Sequence, residues 1–93
     1  MIREPLVLNE EDNVATAVRH LESGEYLNVD EDNSVTLLQD IPFGHKFALK
    51  DIAPGGNIIK YGEIIGRATT GIKRGEHVHI HNVEGLRGRG DKR

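Results

Sequence analysis

Turn-forming residues interrupt this chain roughly every eight to twelve positions after Gly24, and that spacing most constrains its fold. Asp30-Glu31-Asp32-Asn33, Pro42-Phe43-Gly44, Pro54-Gly55-Gly56 and Lys73-Arg74-Gly75 carry the Pro, Gly, Asn and Asp chemistry of tight turns. Between them the signals are short segments with β-branched residues. Segments 26–29, 35–38, 45–50, 57–61, 64–69 and 77–82 therefore read as short strands, and the chain beyond Gly24 as all-β. Within 45–50, alternation would put Phe47 and Leu49 on one face and Lys46, Ala48 and Lys50 on the other.

The segment before Gly24 shows a different period. Val14, Ala17, Val18 and Leu21 recur at i, i+3, i+4 and i+7, after Asn9 as a cap and Glu10, Glu11 and Asp12 in the first turn. The pattern predicts one helix over 10–23, stopped by Gly24. Ninety-three residues with 37% apolar content and four aromatic side chains allow one small domain with a modest core, one that leans on a partner.

Composition removes several function classes. Cysteine is absent, which excludes disulfides, thiolate nucleophiles and thiolate-held metals. Neither an apolar run long enough to span a bilayer nor a signal-peptide pattern is present, so a cytoplasmic, soluble chain with no membrane contact is expected. Phosphate loops, dinucleotide fingerprints and the nucleophile elbow are also missing.

Charge is unevenly placed. Residues 1–40 hold ten acids and two bases, a balance of −8, whereas residues 41–93 hold five acids and ten bases, a balance of +5. An anion would be received by the second half. The chain as a whole is acidic at −3 and lacks interleaved aromatic and basic residues, so nucleic acid is not an expected partner. The tail from Gly85 to Arg93 holds three glycines and four bases and cannot form a core. Its Arg89-Gly90-Asp91 tripeptide is a chance-level match to an adhesion motif.

The run His77-Val78-His79-Ile80-His81 concentrates the candidate chemistry. On a continuous strand the three imidazoles share a face, with neighbours roughly 6.5 to 7 Å apart and His77 about 13 Å from His81. One ion could then be gripped by a pair such as His77 and His79, but not by all three, and zinc, iron and manganese all remain open. Gly44-His45-Lys46 forms a second candidate, an imidazole and an ammonium on a flexible backbone suited to a carboxylate. In the group Lys60-Tyr61-Gly62-Glu63 with Arg67, Tyr61 reads as core and Arg67 as a surface base.

Four ordered motifs carry a family resemblance: Ile41-Pro42-Phe43-Gly44-His45-Lys46, Asp51-Ile52-Ala53-Pro54-Gly55, Ile59-Lys60-Tyr61-Gly62-Glu63-Ile64-Ile65-Gly66, and Gly75-Glu76-His77-Val78-His79-Ile80-His81-Asn82. Together they span about half the chain and resemble the SAF domain of the altronate and galactarate dehydratases. The resemblance implies a mostly β domain of the β-clip type; with the N-terminal helix and the tail read from the residues themselves, the expected division is one SAF-like domain over residues 1–84 and a flexible basic tail over 85–93. It further implies a small subunit of a hydro-lyase that dehydrates a sugar acid, inactive without a large dehydratase subunit, and related to the sulfolactate sulfo-lyase small subunit. A divalent metal, iron or manganese before zinc and held mainly by the partner, would assist. His79 and His81 are then the expected catalytic contributors, His45, Lys46 and Asn82 the substrate contacts, and His77 with His79 the metal ligands within this chain. A stand-alone SAF-type module binding sugar acids without catalysis is the alternative, a small metal-binding protein built on the histidine strand is a third reading, and a homo-oligomer is compatible with each.

Overall fold

Residues 11–29 and 33–85 are described by a computed structural model of the chain. Among them there is no helix; eight short strands run in the order β1 (Val14–Thr16), β2 (Tyr26–Asn28), β3 (Ser34–Thr36), β4 (Lys46–Ala48), β5 (Asn57–Lys60), β6 (Glu63–Ala68), β7 (His77–Val78) and β8 (Val83–Gly85). All pairings are antiparallel, giving the sheets β1-β4-β7, β2-β3 and β5-β6-β8.

A backbone repeat organises these strands. Leu21 bridges Ile41 and Ile52 bridges Ile72, and the two bridges are offset by 52 − 21 = 72 − 41 = 31 residues. The same offset relates the hydrogen bonds around them: Gly24 N–H to Leu37 O matches Gly55 N–H to Ala68 O, Gly44 N–H to Ala17 O matches Gly75 N–H to Ala48 O, and Ala17 N–H to His45 O matches Ala48 N–H to Glu76 O. In each unit an apolar residue enters a four-residue turn whose third residue is glycine with positive φ, namely Gly24, Gly44, Gly55 and Gly75. A positive φ at that position defines a type II turn, and a side chain there would strain it.

The core follows the repeat. One cluster contains Ala17, Leu21, Leu27, Leu37, Ile41 and Phe47, and a second contains Ala48, Ile52, Ile58, Ala68, Ile72 and Val78, each residue 31 positions after its counterpart. The two half-cores meet along the central sheet. There Ala15 packs into the first cluster and its neighbour Val14 into the second, both fully buried. β4 behaves likewise: Phe47, with Leu49 packed beside it, faces one cluster and Ala48 the other, so the two faces expected for 45–50 alternate as read, but both are buried at Phe47 and Ala48.

This arrangement also displaces the helix expected over 10–23. Val14, Ala17 and Leu21 are buried as the stripe requires, but Ala15 is buried too and Val18 is 54% exposed. Pairing with the Ile41–Ala48 region takes the backbone instead, through β1 against β4 and the Ala17 N–H to His45 O and Leu21 N–H to Ile41 O bonds. Val14, Thr16 and Val18 are β-branched and give a helix little intrinsic support, so tertiary pairing decides the conformation. Glu10 itself lies outside the described residues.

Strand β5 and strand β6 form a hairpin through Tyr61 and Gly62, whose φ values of 57° and 74° match the two left-handed positions of a type I′ turn. Tyr61 is consequently at the tip and 61% exposed rather than in the core. Beneath it Lys60 is 3% exposed, its ammonium 3.9 Å from the buried Asp12 carboxylate and 4.1 Å above the Tyr61 ring. Arg67 is exposed, in keeping with a surface base. The expected boundary at 84/85 falls inside β8, and residues 86–93 of the expected tail lie outside the described residues.

Candidate functional site

The expected strand over 77–82 is real only for His77 and Val78, which pair with Phe47 and Lys46. At His79 the chain turns. Asn82 holds that turn: its Oδ1 accepts from the His79 N–H at 2.9 Å, its Nδ2 donates to the His77 carbonyl at 2.8 Å, and its own N–H donates to the His79 carbonyl at 3.0 Å. The Asn82 carbonyl takes the Thr69 N–H at 2.9 Å, fixing the turn to the end of β6. Asn82 is 5% exposed, so its amide is spent on backbone rather than offered to solvent.

The turn gathers the histidines more tightly than a strand could. His81 comes back over His77, with ring centroids 5.2 Å apart and planes tilted by 40°. A fourth imidazole arrives from the turn before β4: His45 stacks on His79 at 4.1 Å and 14°, and on His77 at 5.0 Å and 19°. His45 Nδ1 and His77 Nε2 are 2.8 Å apart, so one of them carries the hydrogen and the other accepts it. The His77 backbone N–H is capped by Gln39 Oε1 at 2.9 Å.

The ligand atoms of His45, His77 and His79 lie within 4.8 Å of one another. His45 and His77 are partly buried, while His79 and His81 face outward. Burial, then the neighbouring charges of His45, His81 and His79, hold the His77 imidazole below the ordinary histidine value. His79 is lowered as well, by desolvation first and then by His45, His81 and Lys46. Every charge that acts on these two rings is cationic, which favours neutral imidazoles with free lone pairs near pH 7.

Lys46 stands beside His79 at the mouth of a groove of about 210 Å³, walled mainly by Ile58, Ile65, Val78 and Ile80. Ile80, between His79 and His81, is 84% exposed, and Phe43, two residues before His45, is 70% exposed. Of the residues singled out in the sequence, His45, Lys46, His77, His79 and His81 thus share one edge of the molecule, with Asn82 behind them as their support. The fifth histidine, His20, is exposed beside Arg19 and takes no part in this group. Sequence reasoning missed the contact between His45 and His77, which are 32 residues apart, and the cap supplied by Gln39.

A twofold backbone repeat of short strands, with clustered imidazoles at one edge, defines a small β domain built to present a basic surface. The chain belongs to the SAF domain family of altronate and galactarate dehydratases, whose model matches residues 3–86. It is 55% identical over 72 residues to altronate dehydratase of Escherichia coli (strain K12), covering 77% of this chain and 14% of that enzyme. It therefore spans about one seventh of that relative's length. It is also 42% identical over 72 residues to (2R)-sulfolactate sulfo-lyase subunit alpha of Chromohalobacter salexigens, covering 72% of this chain and 77% of that subunit. The corresponding subunit of Paracoccus pantotrophus is 46% identical over 59 residues, covering 60% of this chain and 88% of its own length.

Proposed function

We propose that this chain supplies the histidine-bearing wall of a composite lyase site, the remaining walls coming from a large dehydratase subunit, and that the substrate is a sugar acid which loses water. The observation that carries this reading is the group His45, His77, His79 and His81 beside Lys46, four imidazoles and a lysine gathered on an open edge.

Dehydration of a hydroxy acid removes a proton next to a carboxylate and then expels the β-hydroxyl. Such a carbon acid is weak, so the reaction needs a base that is unprotonated at working pH and positive charge on the carboxylate. His79 and His81 face outward and are the candidates to take the proton and to return one to the departing hydroxyl. Lys46 and His45 are placed to meet a carboxylate next to His79. Asn82 acts as a positioning residue, since its amide shapes the turn that carries both bases. The three imidazoles of His45, His77 and His79 also fit a divalent ion, which when bound would add Lewis-acid stabilisation of the developing enolate and leave His81, rather than His79, to move protons.

The sulfo-lyase reading is the second, supported by the high coverage of both alpha subunits. The chemistry differs only in the leaving group, and the walls that tell a sulfonate from a hydroxyl would belong to the partner. Co-expression with a large dehydratase subunit, followed by assays on altronate, galactarate and sulfolactate, tests both readings. A stable complex active on one of them is expected, with kcat falling at least about a hundredfold when His79 and His81 are both changed to Ala, in the range of lost general acid–base catalysis. Full activity of the doubly substituted complex would remove these histidines from catalysis. Tight sugar-acid binding by the chain alone would favour a binding module instead.

A further inference from the structure

We infer that this chain by itself binds one late first-row divalent ion, of the zinc class, through His45, His77 and His79. The inference deepens the lyase reading by naming the ion class its histidine wall would take, but its test needs no partner subunit.

The donor atoms are already assembled. His45 Nδ1 and His77 Nε2 are 2.8 Å apart, and no separation within the three-residue group exceeds 4.8 Å. A tetrahedral ion with metal–nitrogen bonds of 2.0–2.1 Å needs its nitrogens about 3.3 Å apart. Binding therefore asks His45 and His77 to open by about half an ångström and His79 to swing inward by at most about 1.5 Å, with its ring turning out of the stack. The His79 side chain is exposed and can rotate above the backbone that Asn82 holds, whereas His45 and His77 are partly buried and fixed by the Pro42–His45 turn and the β4–β7 pairing.

The donor set points the same way: it consists of three imidazoles with no carboxylate among them. Three imidazoles with no oxygen donor select zinc, nickel, copper or cobalt over manganese or magnesium. Three protein ligands also leave a fourth position open toward the exposed side of His79, the pattern of a reactive rather than a purely structural site. His81, its ring centroid 5.2 Å from that of His77, stays outside the coordination set.

Calorimetry of the untagged, metal-free chain with Zn(II), and visible absorption with Co(II), test the assignment. One ion per chain is expected, with micromolar or tighter affinity and the intense d–d bands of tetrahedral cobalt. His45→Ala, His77→Ala and His79→Ala should each weaken binding at least about thirtyfold, whereas His81→Ala and His20→Ala should change it less than about threefold. Circular dichroism of each variant separates lost ligation from lost folding, and His79→Ala, altering an exposed side chain, is the variant least able to unfold the domain. Millimolar affinity of the intact chain, or a His81→Ala effect equal to that of His79→Ala, would overturn the assignment. A negative result here leaves the co-expression assays untouched, so the two readings fail separately.

Discussion

The rings of His77 and His81 lie 5.2 Å apart, although four residues of extended strand would separate their Cα atoms by about 13 Å. The difference is the work of Asn82, whose side chain binds the backbone at His77 and His79 and folds the intervening residues into a turn. Removing the amide should therefore disperse the cluster without touching an imidazole. Asn82→Ala leaves the His79 N–H and the half-buried His77 carbonyl without these partners, a loss of about 1–3 kcal/mol. Urea midpoints would read the stability, and loss of the nuclear Overhauser contact between the His77 and His81 rings would read the geometry. Asn82→Asp, which keeps the acceptor for the His79 N–H, should fall between the two. An unchanged ring contact in Asn82→Ala would show that the turn is held by something else.

The equivalent turn glycines should tolerate substitution very unequally. A Cβ on Gly24 meets nothing within 4 Å, so Gly24→Ala carries only the strain of a positive φ, about 1–2 kcal/mol. A Cβ on Gly75 would sit 2.3 Å from the Thr36 carbonyl oxygen and 3.3 Å from the Leu38 nitrogen. Backbone on both sides leaves no flexible group to yield. Gly75→Ala is expected to cost several kcal/mol more than Gly24→Ala and to disturb the strand that carries His77. Thermal unfolding of the pair decides it, and equal midpoints would refute the close approach.

The buried pair Asp12 and Lys60 lies beneath the Tyr61-Gly62 hairpin tip. Asp12 Oδ1 accepts the Gly62 N–H at 2.9 Å, while its Oδ2 has no hydrogen-bond partner among the described residues and looks to the Lys60 ammonium 3.9 Å away. Lys60→Met leaves a buried carboxylate uncompensated and should cost about 3 kcal/mol. Adding Asp12→Asn removes the orphaned charge, so the double variant should be less destabilised than the sum of the singles by about 1–2 kcal/mol. Strict additivity in a denaturant double-mutant cycle would mean that the two charges do not interact.

Much of this architecture was legible in the chain, for identifiable reasons. Gly44, Gly55 and Gly75 read correctly as turn residues, because a type II turn demands glycine at one position, whereas the buried bridge residues Ile41, Ile52 and Ile72 fell outside the expected strands and turns. The 31-residue repeat was not legible, since it conserves backbone pairing and apolar character rather than residues: Leu37 is matched by Ala68, and Phe47 by Val78. The false helix arose because Val14, Ala17 and Leu21 are core residues at spacings that also suit a helix. Only the burial of Ala15 and the exposure of Val18 distinguish the two, and neither follows from local propensity. The histidine row was found but misread in shape, because Asn82 looked like the end of a strand when it is the clamp of a turn. His45 was singled out for its own chemistry, while its place against His77 and His79 depends on β4 pairing with β7, a contact between distant segments.

The acid limb of stability should depend on Glu25. Its carboxylate accepts two hydrogen bonds from Arg19, at 2.9 and 3.4 Å, and one from the Glu22 N–H at 2.7 Å. The Arg19 guanidinium, followed by the Glu22 amide, holds this carboxyl below the ordinary glutamate value. With the folded value depressed, the unfolded chain binds more protons between the two values, so stability is fully present above the unfolded value near 4.5 and is lost as pH falls through the folded one. The pair is partly exposed, with side-chain accessibilities of 48% for Arg19 and 29% for Glu25, so screening limits its contribution to about 1 kcal/mol or less. Glu25→Gln should therefore be slightly less stable than the parent at pH 7, with the gap closing as pH drops below about 4. Raising the salt to about 1 M, where the screening length is near 3 Å, should narrow the pH 7 gap as well. Urea denaturation at pH 7, 5 and 3.5 measures both trends, and a gap that widens toward low pH would contradict the depressed value of Glu25.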